Sequence, residues 1–205
     1  MPRLRPALAL LLSALALPAA AVPARDARLV PVLHVSVGTG ACATPHSDSS
    51  RNDNPCWLQL GAAPGLRAGP LELGLVYEGR ELLKWASFLL VRPPAATVVG
   101  ASAGWVVEPG DRWRLLAAAE GGWRRYMDFA GAGLADRKGH ADTLFVGATG
   151  RAALGMRPAS GRVDRLEVSL SVRSDLRPTH DTVDGVPWTA GGWSITMGVG
   201  LVSEW

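Results

Sequence analysis

Long apolar runs are missing from most of this sequence. Beyond residue 21, no window holds the roughly 20 uninterrupted apolar residues that a transmembrane helix needs, so any membrane insertion uses strands. Large core residues are also scarce, because the 205 residues include 3 Phe against 24 Gly. This composition argues against a thick soluble core. The roughly 180 residues that follow residue 21 fit a single domain.

The sequence also lacks a large excess of positive or negative charge. The sequence has 21 Lys plus Arg and 18 Asp plus Glu, and two of the arginines, Arg3 and Arg5, lie in the N-terminal segment. No basic run is interleaved with aromatic residues, so nothing indicates a nucleic-acid partner. Gly-x-Gly occurs at 38–40 and 198–200, but in alternating segments rather than at strand-to-helix turns. The sequence therefore predicts no cofactor.

The N-terminal segment has the three parts of a secretory signal peptide. Basic residues lie within 1–5, an apolar run covers 7–17 and small residues fill 18–21. Cleavage is predicted after Ala21, with Ala24 as the alternative. The apolar run is too short to span a membrane, and no Cys follows the cleavage region, so neither an anchor nor a lipoprotein is indicated. Residues 22–205 are the predicted exported domain.

The exported domain alternates between apolar and polar or small residues, which is the period of a β-strand. Eight strands are predicted, at 29–40, 57–63, 71–78, 97–108, 112–127, 142–157, 163–174 and 192–205. Short turns at 64–69, 109–111 and 158–161 alternate with longer loops. The pattern predicts antiparallel strands joined in chain order.

One region has two interpretations. Residues 79–94 suit an amphipathic helix or a poorly alternating strand equally well, and we interpret them as a loop. A rival assignment omits the strand at 57–63 and makes 83–91 a strand instead. Both assignments give eight strands.

The last strand has the clearest alternation. One face carries large apolar residues between Trp193 and Trp205, and the other carries small and polar residues. The segment between the two tryptophans spans roughly 40 Å when extended, or about 28 Å across a bilayer at ~45° tilt. This places a tryptophan at each membrane–water interface.

A terminal aromatic residue on such a strand, with an even strand count and alternating short and long connections, resembles the small eight-stranded outer-membrane barrels of the OmpA/OmpX type. The resemblance implies an all-β, antiparallel, up-and-down barrel in the outer membrane of a Gram-negative cell envelope. Both chain ends would lie in the periplasm. It also implies contact with the barrel-assembly machinery through the strand that ends at Trp205.

Charged residues share the predicted inner face with small residues. The predicted lumen network comprises Glu72, Glu78, Glu108, Arg114, Glu120, Arg124, Arg151, Arg165, Glu167 and Arg173, with Arg112, Arg157 and Glu204 on the same face. An eight-stranded barrel is just wide enough for side chains to fill. Opposite charges should therefore pair across the lumen and block it, and His34 on the same face is expected to be a hydrogen-bonded structural residue.

Two other residue sets have structural interpretations. Tryptophans near the predicted strand ends suggest an interfacial girdle rather than a ligand-stacking set: Trp57, Trp105, Trp113, Trp123, Trp193 and Trp205. Cys42 and Cys56 flank one polar loop of an exported chain, so they are predicted to form a disulfide that closes it.

Catalytic and metal sites are weakly indicated. Some eight-stranded barrels are lipid A-modifying hydrolases that use Ser and His, and Ser174 and His180 are the candidates here. His180 and Asp181 are adjacent on one segment and point to opposite sides, which makes them poor triad partners. The loop aspartates lack the spacing of a calcium loop, so no metal site is predicted.

The expected function is structural or interactive. A monomeric barrel would present four external loops to lipopolysaccharide or an outside partner. The alternatives are a narrow, porin-like pore of low conductance and a lipid A-type hydrolase. A soluble lipocalin-like barrel would need apolar residues inside, whereas the alternation here places charges there.

Overall fold

The computed structural model describes residues 28–42, 59–79, 95–110, 112–129, 139–155, 162–177, 179–183, 186–190 and 192–205. These residues form ten β-strands, which are β1 (Leu29–Cys42), β2 (Gln59–Ala68), β3 (Leu71–Gly79), β4 (Ala95–Val107), β5 (Trp113–Phe129), β6 (Gly139–Gly155), β7 (Val163–Asp175), β8 (Thr179–Val183), β9 (Val186–Ala190) and β10 (Trp193–Glu204). In the part of the chain described, no helix has the length and apolar character needed to cross a membrane.

Eight of these strands form a closed barrel. The order around the wall is β1-β10-β7-β6-β5-β4-β3-β2, and every pairing is antiparallel. Barrel strands that are neighbours in the wall also follow one another in the chain, except for β1 and β10, which close the barrel. The predicted eight-stranded antiparallel up-and-down architecture is confirmed.

The two faces of the wall have opposite character. Successive side chains of a strand point to opposite faces. On β7, Leu166 and Leu170 face outward and are 54% and 48% exposed, whereas Arg165 and Glu167 face inward and are 8% and 1% exposed. On β10, the apolar side chains on the same face as Trp193 are likewise exposed, from Ile195 to Leu201. Apolar residues therefore cover the outside, and charges lie inside.

The first short turn comes later than predicted. β2 extends to Ala68, and the turn consists of Gly69 and Pro70, with Gly69 at a φ of 60° that glycine adopts without steric cost. The prediction of a turn at 64–69 was wrong because Pro64 does not end the strand. The pairing of β2 with β3 skips residues 63–64 and resumes at Gly65, which is how a strand accommodates a proline without an N–H to donate.

The rival strand assignment is also wrong. Residues 59–68 pair with β1 on one side and with β3 on the other, so this segment is an integral barrel strand. The next described strand is β4, which pairs directly with β3. Gly79 ends β3, and the rest of the ambiguous region, residues 80–94, lies outside the described residues, as do the predicted turn at 158–161 and the N-terminal 27 residues.

The connection between β7 and β10 contains a hairpin that the sequence interpretation treated as loop. β8 and β9 pair antiparallel with each other, from Thr179 with Ala190 to Val183 with Val186. They form a two-stranded sheet separate from the barrel sheet. Each strand has only five residues, which is too short a segment for alternation to be recognised against a polar background.

Glycines on the inner face allow close strand approach where the barrel closes. Gly38 of β1 pairs with Gly198 of β10, and a Cβ built on Gly38 would lie 2.8 Å from the carbonyl oxygen of Met197. A Cβ built on Gly200 would overlap the carbonyl oxygen of Val35. The β1–β10 seam can be this tight only because these positions have no side chain.

Candidate functional site: the barrel lumen

Ion pairs at the turn end of the lumen form what we call the basal cluster, which consists of Arg67, Glu108, Arg114, Arg165 and Glu204. Glu204 accepts a hydrogen bond from Arg165 at 2.6 Å and lies 3.0 Å and 3.3 Å from Arg114 and Arg67. Glu108, whose side chain is 39% exposed at the base of the lumen, accepts from Arg67 at 2.7 Å. The cluster joins strands from opposite parts of the wall.

A histidine connects two carboxylates above this cluster. We call Glu72, His34 and Glu167 the histidine bridge. His34 Nε2 lies 2.9 Å from Glu72 Oε1, and His34 Nδ1 lies 2.7 Å from Glu167 Oε2. The second oxygen of Glu72 accepts from Arg114, and that of Glu167 lies 3.5 Å from Arg151 Nη1. The bridge links β1 to β3 and β7.

The middle cluster, consisting of Glu78, Glu120 and Arg173, is the most completely bonded. Arg173 donates two hydrogen bonds of 2.6 Å to the two carboxylate oxygens of Glu78 and one of 2.8 Å to Glu120. Thr149 donates to the other oxygen of Glu120 at 2.5 Å and lies 2.7 Å from the hydroxyl of Ser171. Arg173 is 1% exposed, so both carboxylates compensate a deeply buried charge.

At the opposite end lies the outer cluster, which consists of Arg124, Tyr126 and Asp175. Arg124 contacts Asp175 at 3.1 Å and donates to the Tyr126 hydroxyl at 2.9 Å. Tyr126 donates to Asp175 at 2.5 Å. The Phe145 ring lies between this cluster and the middle one, with its centroid 5.5 Å from the Arg124 guanidinium and 5.6 Å from that of Arg173. Charged side chains thus cross the lumen from its base to its mouth.

The alternation pattern located most of these residues. All ten residues of the predicted lumen network lie on the inner face, with Glu108 at the rim. Arg112 is exposed beside the turn, and Arg157 lies outside the described residues. Arg67 was missed because the turn was placed too early, and Asp175 because β7 was ended one residue too soon. Alternation carried four residues further in β2 and one residue further in β7 would have identified them.

Tryptophans mark both ends of the outer surface. Trp105, Trp113 and Trp205 lie at the end with the short turns, and Trp123 and Trp193 at the opposite end. Trp57 lies outside the described residues. These placements have the geometry of an aromatic girdle.

At each end, an arginine–carboxylate pair accompanies a tryptophan. Arg125 lies 4.6 Å from the Trp123 ring centroid and 2.8 Å from Asp142. Arg162 lies 5.3 Å from the Trp205 ring centroid and 2.7 Å from Asp164. Polar groups therefore bound the apolar surface on both sides.

The apolar belt between these pairs has the height of an outer-membrane barrel. On β7, the outward positions from Leu166 to Val172 are apolar and lie between Asp164 and Ser174. At about 3.3 Å per residue and ~45° tilt, the step from 164 to 174 corresponds to a height of roughly 23 Å. A belt of about 25 Å is typical of such barrels.

The other candidate residues are not brought into one site. Ser174 is exposed on the outward face of β7, and His180 lies in β8, within the separate hairpin. Cys42 ends β1, whereas Cys56 lies outside the described residues, so the disulfide stays a prediction. Within the described ranges, no group of three or more His, Cys, Asp or Glu is arranged to hold a metal ion.

Comparison with known proteins identifies similar folds and no similar sequence. No protein-family model matches the chain, and no curated protein matches it. Among solved structures, Neisserial surface protein A matches with a TM-score of 0.51 at 10% identity, covering 85% of this chain and 95% of that one.

Two further structures match less well. The N-terminal β-barrel domain of Pseudomonas aeruginosa OprF has a TM-score of 0.44 at 13% identity, with 84% of this chain and 96% of that one covered. Outer membrane protein AlkL has a TM-score of 0.43 at 11% identity, with 92% and 94% covered. The resemblance to small eight-stranded outer-membrane barrels is thus confirmed for the fold, which this chain shares with Neisserial surface protein A.

Proposed function

We propose that this protein is an outer-membrane barrel that holds external loops on a lumen blocked by charged side chains. The observation that supports this role most strongly is the pairing of buried charges through the lumen, from Glu204 at its base to Asp175 at its mouth. A buried charge is costly to leave without its opposite partner, so these ion pairs hold the strands that carry them together. The external loops and the β8–β9 hairpin are then the parts of the protein that contact partners.

Export and assembly are part of the same proposal. Residues 1–21, or 1–24, serve as a signal peptide, and the remaining chain is a single barrel domain. The strand that ends at Trp205 contacts the barrel-assembly machinery, and the inserted barrel is a monomer in contact with lipopolysaccharide. The loop between Cys42 and Cys56 is closed by a disulfide. No catalytic activity is proposed.

Membrane fractionation tests the location. We expect the protein in the outer-membrane fraction, with a gel mobility that changes on boiling, because a closed barrel resists detergent until it is heated. Recovery as a soluble periplasmic protein with heat-independent mobility would contradict the proposal.

Leu170→Arg tests the lipid contact of the outer face. Leu170 lies near the centre of the apolar belt, where an arginine is expected to lower the free energy of unfolding by roughly 2–4 kcal/mol. Leu176→Arg is the matched control, since Leu176 is equally exposed, at 49% against 48%, but follows the end of β7. There the expected cost is about 0–1 kcal/mol. Urea unfolding in lipid vesicles measures both, and equal costs would contradict a membrane-embedded belt.

Tag insertion tests the orientation. An epitope inserted after Val183, in the hairpin between β8 and β9, should bind antibody on intact cells. The same epitope after Pro109, in the short turn between β4 and β5, should bind only after the outer membrane is permeabilised. The reverse result would place the short turns outside and overturn the assignment of the hairpin as a surface element.

Conductance separates the blocked barrel from the narrow pore. We expect no steady current from the purified protein in a planar bilayer. A steady current that changes with Glu120→Gln or Arg151→Gln would show that ions pass these side chains in the lumen, and the pore would then replace the proposed role.

A further inference from the structure

The histidine bridge has an unusual hydrogen-bonding requirement. Both ring nitrogens of His34 lie within hydrogen-bond distance of carboxylate oxygens, at 2.7 Å from Glu167 and 2.9 Å from Glu72. Ionised carboxylates only accept hydrogen bonds, and a neutral imidazole can donate from only one nitrogen. A neutral ring would therefore direct a lone pair at one of the two carboxylates.

The protons cannot easily come from the carboxyl groups instead. The second oxygen of Glu72 accepts from Arg114, and the second oxygen of Glu167 faces Arg151. A nearby guanidinium favours the ionised form of a carboxyl group. Both acids are therefore held as carboxylates, and the ring is the group left to carry both protons.

The charge balance of the lumen points the same way. Among the described residues, the ion-paired arginines of the lumen are Arg67, Arg114, Arg124, Arg151, Arg165 and Arg173. The carboxylates paired with them are Glu72, Glu78, Glu108, Glu120, Glu167, Asp175 and Glu204. Among these described residues, six arginines face seven carboxylates, which is an excess of one negative charge.

The strands around His34 supply no other candidate to balance that charge. Its cross-strand partners are Val202 on β10 and Ala63 on β2, which do not ionise. Of the arginines that face the bridge, Arg114 donates to Glu72, and Arg151 lies 3.5 Å from Glu167. His34 itself is 3% exposed, which leaves no room for a solvated counterion at the ring.

We propose that His34 is a permanent imidazolium in the folded barrel and acts as the seventh cation among the described lumen residues, tying β1 to β3 and β7 by two charge-assisted hydrogen bonds. This assignment is independent of what the external loops bind. The proton comes from solvent as the barrel folds, and it is retained because each ring nitrogen has an ionised acceptor.

Nitrogen-15 NMR of the full chain, labelled at histidine and folded in lipid nanodiscs, tests the proposal. At about pH 7, an imidazole with an ordinary pKa of about 6.5 is mostly neutral. His34, identified by the signals that disappear in His34→Gln, should have a proton on both ring nitrogens. A ring with a proton on one nitrogen only would overturn the proposal.

Glu167→Gln supplies the second measurement. Its amide can donate to Nδ1 while Nε2 donates to Glu72, so a neutral ring satisfies both contacts and the second ring proton should be lost. Glu120→Gln is the matched control, because Glu120 is a buried carboxylate bonded to Arg173, and it should leave His34 doubly protonated. An unchanged ring in Glu167→Gln would contradict the role of that carboxylate. If Glu167→Gln does not fold, the wild-type spectrum still decides the charge state.

Discussion

Gly200→Ala is expected to prevent most of the protein from closing into a barrel. The added methyl group would occupy the position of the Val35 carbonyl oxygen and press on the Cα of Ser36, 2.8 Å away. Both atoms belong to the backbone of β1, so no side-chain rotation can relieve the overlap. The seam must separate there, and unpaired N–H and C=O groups in lipid each cost several kcal/mol.

Gly150→Ala is the matched control for this effect. Gly150 is also a glycine within a barrel strand, but a Cβ there meets no atom within 4 Å. Refolding both variants into detergent and comparing the heat-modifiable gel band measures the closed fraction. Wild-type yield for Gly200→Ala, or an equal loss in the two variants, would show that close approach at the seam does not control closure.

Arg173→Met is expected to lower the free energy of unfolding by roughly 3–5 kcal/mol, the usual cost of leaving buried charges without their partner. Methionine keeps the apolar stem of the side chain but removes every donor to Glu78 and Glu120. Both carboxylates belong to the middle cluster, and Glu120 is 5% exposed. Urea unfolding in lipid vesicles gives the change.

Two controls separate the charge effect from a packing effect. Adding Glu78→Gln and Glu120→Gln to Arg173→Met removes the unpaired charges and should restore much of the lost stability, because replacing a whole buried group costs less than removing one member. Arg125→Ala removes an arginine from an exposed ion pair with Asp142 and should have little effect. No recovery in the triple variant would indicate that packing, rather than charge, sets the cost.

The architecture could be predicted from the sequence because the two faces of the barrel wall lie in different environments. In the proposed membrane setting, a residue such as Leu166 must suit lipid and its neighbour Glu167 must suit a polar lumen, so the two-residue period is enforced along every strand. The ends of the strands were less certain. Beyond the membrane no solvent contrast acts, and the bounds of β2 and β7 were misplaced there by a few residues.

The partners inside the lumen could not be predicted. Alternation places His34, Glu72 and Glu167 on the inner face, but their contacts depend on how far each strand is shifted along its neighbour. That shift is set by pairings such as His34 with Val202 and Glu167 with Gly200, which a single sequence does not specify. The predicted turn at Pro64 was wrong for a related reason. Whether a strand tolerates a proline depends on how that residue pairs with the neighbouring strands, and the sequence alone does not give this pairing.

The closing seam has a consequence for the order of events in folding. β1 and β10 pair residues as distant in the chain as Val32 and Glu204. Every other pairing in the wall joins two barrel strands that are consecutive in chain order. A sheet with every other pairing formed would still have two open edges, and hydrocarbon offers no partner for their backbone groups. In the proposed membrane setting, a finished wall with an open seam is therefore energetically unfavourable in lipid. We expect closure of the β1–β10 seam and insertion into the membrane to be coupled.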